Sequence, residues 1–156
     1  MTLVTIPPLL ASYVALCALL FVKHYLGDAQ FQTRWQVMYK GIYGHPAGLI
    51  HTGIHVGLTV LFVGVWYLLP APYSGVFDAH LLLLALALEW LVHYHVDWFK
   101  AKYLDKLGWQ SFKQDKAGKE LLTIHDSRFF LALIGDQVIH FITYLVMGLI
   151  LLRNMY

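Results

Sequence analysis

Leu81-Leu82-Leu83-Leu84-Ala85-Leu86-Ala87-Leu88, followed by Glu89-Trp90-Leu91-Val92-His93-Tyr94-His95-Val96-Asp97, is the stretch that decides the fold class. With its flanks it makes an apolar segment over residues 79–100, and about 20 residues suffice for a helix to cross the bilayer core. Its second half nevertheless carries His93 and Asp97, four apart and so on one helix face. Ionisable groups in hydrocarbon are costly and usually face a bundle interior. The segment therefore reads as a membrane span with a polar inner stripe, which implies partner spans with matching stripes.

Three such partners are present. Residues 9–31 follow Pro7-Pro8 and stay apolar until Lys23, residues 47–69 are closed by Pro70-Ala71-Pro72, and residues 128–152 form the last. The N-terminal run has no basic region before it and no small-residue cleavage site, so it reads as a retained span and not a signal peptide. The expected architecture is all-α: four transmembrane helices in one bundle, a single integral membrane domain over residues 1–156. Composition agrees. Of 156 residues, 59% are hydrophobic and 13% charged, against roughly 45–50% and 25% in soluble domains. Disorder, a coiled coil and a nucleic-acid-binding domain are excluded on these figures. Cys17 is the only cysteine, so no intrachain disulfide or thiolate cluster can form.

Basic residues fix an expected orientation. Lys23, Arg34 and Lys40 lie at or after the end of span one, and Lys100, Lys102, Lys106, Lys113, Lys116, Lys119 and Arg128 lie between spans three and four. Residues 70–78 carry none, and the C-terminal tail has only Arg153. The positive-inside rule then places both basic loops in the cytoplasm and both termini outside. Residues 33–43 and 111–125, which mix apolar side chains with basic ones, are expected to form interfacial helices against anionic headgroups.

Each span carries one i, i+4 polar pair: His24 and Asp28, His51 and His55, His93 and Asp97, Asp136 and His140. Given the alternating direction of the spans, His24, His55, His93 and His140 fall at one depth. Asp28, His51, Asp97 and Asp136 fall about 6 Å nearer the cytoplasm. Neutral imidazole and carboxylate suit a divalent metal, zinc first, with iron or manganese as alternatives, one or two ions per chain. All eight residues are candidate ligands, and Asp28, Asp97 and Asp136 are also candidate catalytic groups. Self-satisfied His/Asp pairs and a proton or ion pathway remain the alternatives at this point.

Around this core, Glu89 extends the face by one turn as a proton carrier, general base or hydrogen-bonded structural group. His95 points away, His80 is too distant, and His45 and His125 lie in the loops. Gln30, Gln32 and Gln137 are expected to hydrogen-bond to the polar pairs. Trp35, Trp66, Trp98 and Trp109 read as interfacial anchors, and Gly27, Gly53, Gly57 and Gly135 as points of close helix approach. A short repeat is visible: His24-Tyr25-Leu26-Gly27-Asp28 parallels His93-Tyr94-His95-Val96-Asp97, and His51-Thr52-Gly53-Ile54-His55 parallels Asp136-Gln137-Val138-Ile139-His140. Two hairpins about a pseudo-two-fold axis would bring the four faces together.

The combination of His24-Tyr25-Leu26-Gly27-Asp28 with Gln30 and Gln32, His51-x-x-x-His55, His93-x-x-x-Asp97-x-x-Lys100 and Asp136-Gln137-x-x-His140 resembles a small bacterial inner-membrane family, domain of unknown function 3307. Ala29 departs from the aromatic or aliphatic residue usual after the first Asp, without touching a ligand candidate. More distantly the chain is similar to the LexA-regulated, membrane-bound family described as metal-dependent hydrolases. That likeness implies hydrolysis; the expected orientation opens the His/Asp site to the cytoplasm, and the basic loops favour an anionic lipid-linked substrate. A transporter or ion-binding protein, built as a homo-oligomer, is the second expectation. A bis-histidine haem protein is the third.

Overall fold

The structure, a computed structural model, describes residues 7–76, 78–104, 106–107, 112–114, 120–122 and 127–154. Four long helices dominate it: α1 (Pro8–Ala29), α3 (Pro46–Tyr67), α4 (Ala79–Phe99) and α5 (Ser127–Leu151), with a short α2 (Arg34–Tyr39) between the first two. All four are long and apolar enough to cross a membrane. Their ends fall within two residues of the expected spans, except that α4 runs on through a π-helical turn, Lys100–Leu104.

Local chemistry sets the boundaries. Pro8 and Pro46 occupy first-turn positions, where the missing N–H costs nothing. His45, in the loop before α3, is its cap: its Nδ1 accepts from Ala47 N at 3.1 Å. Asp78 caps α4 by accepting from His80 N at 2.8 Å and Leu81 N at 3.2 Å. Thr33 and Gln36 form a reciprocal capping box that starts α2. Gly44, at φ +76°, turns the chain between α2 and α3, a conformation that favours glycine.

The helix expected within residues 33–43 is α2. Within residues 111–125 the described part is different: Phe112–Gln114 (β1) and Glu120–Leu122 (β2) pair antiparallel. Between Phe112 and Leu121 the sole apolar side chain is Ala117, and Gly118 is a poor helix former, so a helix there has little to bury. Trp109 and His125 lie outside the described residues.

The long helices form a ring in the order α1, α3, α4, α5, each packed on the next, with α5 closing on α1. Leucines, valines and isoleucines such as Leu83, Leu131 and Leu149 point outward and are exposed. The buried interior divides in two. At the end near the chain termini, Leu16, Leu20, Val63, Trp66, Ala85, Met147 and Leu151 pack as an apolar cluster. Trp66 is thus fully buried in the core and is not an interfacial anchor. The other half is filled by histidine, carboxylate and lysine.

Candidate metal centre

One residue per helix builds each polar level, because the i, i+4 step returns every helix to the same face. His24, His55, His93 and His140 meet ring against ring. Centroids are 5.1 Å apart for His24–His55, 3.9 Å for His55–His93, 4.3 Å for His93–His140 and 4.9 Å for His140–His24. All four are buried. The second level is Asp28, His51, Asp97 and Asp136. Here His51 Nε2 lies 2.9 Å from Asp97 Oδ2 and 3.4 Å from Asp28 Oδ1, and Gln137 Nε2 donates to both Asp28 and Asp136. The structure therefore brings together all eight residues singled out in the sequence. The levels also touch, through His51 Nε2 and His93 Nε2 at 3.2 Å.

Gly27 makes the α1–α3 contact. A Cβ there would fall inside the His55 ring, so only glycine lets the imidazole lie against the helix backbone. Gly57 and Gly135 have no atom within reach of an added Cβ and set no close approach, and at Gly53 the nearest atom is an ordinary 3.8 Å away.

Within this cluster two groups of ligand atoms lie within 4.8 Å of one another: Asp28, His51, His55 and His93, and separately His93, Asp97 and His140. Hydrogen bonding sorts the histidines further. His24 is satisfied at both nitrogens, by Tyr144 Oη at 2.9 Å and Gln137 Oε1 at 3.0 Å. His55 has no hydrogen bond at either ring nitrogen, His93 none at Nδ1, and His140 none at Nε2. Buried polar atoms are rarely left in this state.

Three lysines complete the centre, and sequence reading did not assign them there. Lys23 is fully buried between the helices, paired with Glu89 one turn beyond the histidine level, and is not a flanking charge. Lys40, from the end of α2, lies 2.8 Å from Asp97 Oδ2. Lys100 bridges Asp136 Oδ2, at 2.5 Å, and Asp97 Oδ1, at 3.7 Å. Only Lys100 carried a hint, through its i, i+3 spacing from Asp97. Glu89 thus acts as the partner of Lys23, and its Oε1 lies 3.4 Å from Tyr144 Oη.

The other expectations divide. Gln32 reaches His51 Nε2 at 3.1 Å, whereas Gln30 is exposed at the end of α1. His95 is on the outer surface with Leu91 O and Tyr43 Oη, and the His80 side chain is almost wholly exposed. Access to the polar interior is from the lysine-rich end, where the Asp28 and Lys100 side chains are 27% and 24% exposed.

A family model described as protein of unknown function (DUF3307) matches residues 16–155, which include most of α1 and all of α3, α4 and α5. No curated protein matches the chain, and no solved structure does.

Proposed function

The chain belongs to the DUF3307 family, whose description assigns no activity, and from the site itself we propose a membrane-embedded metal-dependent hydrolase. In this reading one divalent ion, zinc first and iron or manganese next, is held by Asp28, His51, His55 and His93. The observation that carries it is a spacing. Asp28 Oδ1 stands 3.4 Å from His51 Nε2 and 3.3 Å from His55 Nε2, and His51 Nε2 stands 3.2 Å from His93 Nε2. Ligand atoms around a tetrahedral zinc are about 3.3 Å apart, given the usual bond lengths. The vacant hydrogen-bonding capacity of His55 points the same way. Tyr144 and Gln137 account for His24 without an ion, whereas no hydrogen bond serves His55.

Bound there, such an ion would supply Lewis acidity and, because the four protein donors already fill a tetrahedron, a water of lowered pKa only at a fifth position. The chain supplies the rest. Asp136 Oδ1 has no hydrogen bond and stands 3.4 Å from His140 Nε2, placed to accept a proton. Lys40 and Lys100 hold Asp97 and Asp136 in place. The apolar cluster beyond Lys23 and Glu89 excludes water from the far side. A polar column that stops partway supports a reaction centre over a conduit, which favours the hydrolase over the transporter. A haem fits poorly, because imidazoles 3.9–5.7 Å apart leave no slot for a porphyrin between them.

The test is metal analysis of the purified protein, followed by hydrolysis of aryl phosphates and esters. A bound ion, with turnover lost to chelator and restored by metal, supports the proposal. Metal-free protein after metal-replete growth, or chelator-insensitive turnover, would overturn it, and a Soret band would favour haem.

A further inference from the structure

We infer that the ammonium group of Lys100 takes the position of a second metal ion, so that the chain holds one ion and one fixed lysine cation in place of two metals. The inference rests on the metal centre proposed above and sets its nuclearity.

Of the four carboxylates in the polar interior among the described residues, three already have a lysine: Glu89 has Lys23, Asp97 has Lys40 and Lys100, and Asp136 has Lys100. Among the described residues Asp28 has histidines as its ion-pair partners and no lysine. This asymmetry is informative because the neighbouring donor set is otherwise well suited to a metal. His140 Nε2 faces Asp136 Oδ1 at 3.4 Å and Asp97 Oδ1 at 3.8 Å, and His93 closes the group. With His93 committed to the proposed centre, the two carboxylates and the His140 imidazole at that spacing could still bind a divalent ion. Lys100 instead bridges those same two carboxylates. A second divalent ion beside its ammonium, with Lys40 on the far side of Asp97, would meet strong repulsion at short range in a low-dielectric interior.

The arrangement also bears on substrate. Lys100 is more open than Lys23 or Lys40. With Asp136 it borders a groove of about 330 Å³ between α4 and α5, otherwise lined by residues such as Phe99, Leu131, Gly135 and Ile139. An anionic group arriving there meets an ammonium and not a second metal.

The experiment counts zinc on the full-length chain in detergent after saturation and desalting. Wild type should hold one zinc, Lys100→Arg one, Lys100→Gln two, and Lys100→Gln with His140→Ala one again. Two zinc ions on wild type, or a single one on Lys100→Gln, would overturn the inference while leaving the metal centre standing. No zinc on wild type would overturn the centre itself. Manganese-loaded wild type needs no variant: it should give the electron paramagnetic resonance spectrum of isolated ions, and an exchange-coupled pair would refute the inference.

Discussion

Lys40 Nζ lies 2.8 Å from Asp97 Oδ2 although 57 residues separate the two in sequence, and both side chains are more than nine-tenths buried. The same carboxylate oxygen lies 2.9 Å from His51 Nε2. Through Asp97, the short helix α2 is tied to α4 and to the histidine that joins the two polar levels. The segment after α1 is therefore part of the centre's wall.

Lys40→Met should leave Asp97 with a buried charge only partly offset by Lys100, destabilising the protein by about 3 kcal/mol. Lys40→Met combined with Asp97→Asn should be less destabilised than the sum of the single changes. Chemical unfolding in detergent measures both. Strict additivity would mean that the two residues do not interact.

Gly27→Ala tests the α1–α3 contact. The added methyl group overlaps the His55 ring, so either the helices separate or the imidazole turns away. Overpacking of this kind costs about 1–3 kcal/mol, and bound metal should fall with stability because His55 is a proposed ligand. Gly57→Ala, with open space around the new methyl, is the control and should change neither.

How much of this was legible in the sequence follows from what each signal depends on. The spans and the two polar levels needed only local periodicity and the alternating direction of the chain, and both emerge as expected. The lysines did not, because hydropathy treats Lys23 as an end-of-span charge and Lys40 as a loop charge. Their roles depend on side chains reaching across to other helices, Lys23 to Glu89 and Lys40 to Asp97. Trp66 was misplaced for a related reason: an indole near a span end reads as an anchor until the packing of Leu16, Val63 and Met147 around the interior is known. The β1–β2 pairing had no strand-like alternation to announce it.

Glu89→Gln and His95→Ala separate ligands from neighbours. Glu89 is committed to Lys23, and the exposed His95 ring faces away from the cluster. Both variants should retain the wild-type metal count. Glu89→Gln should lose stability, since it leaves the Lys23 ammonium buried without a countercharge, whereas His95→Ala should be near neutral. Metal loss in either would require a different set of ligands.

Orientation is open to a direct test. With both basic loops inside, a reporter active only in the cytoplasm, fused after Tyr156, should be silent, and one active only outside should report. The opposite pattern would place the lysine-rich mouth, with Asp28 and Lys100, on the outer side of the membrane and exclude a cytoplasmic substrate.

The last prediction couples metal to folding. The described cluster buries histidine nitrogens that lack hydrogen bonds, at His55, His93 and His140. Unpartnered polar groups of this kind cost free energy, and an ion in the proposed centre would remove that cost at His55 Nε2 by accepting its lone pair. An ion at one hundred times its dissociation constant stabilises the folded state by about 2.7 kcal/mol. Metal-loaded protein should therefore melt several degrees above stringently metal-free protein. His55→Ala should lower both bound metal and the melting temperature of the loaded form, while responding less than wild type to chelator. His24 supplies the contrast: Tyr144 and Gln137 already satisfy its ring, so His24→Ala should reduce stability through lost hydrogen bonds while retaining the ion. Equal melting of loaded and metal-free wild type would mean that the imidazoles are stable without an ion, and the metal reading of the cluster would fail.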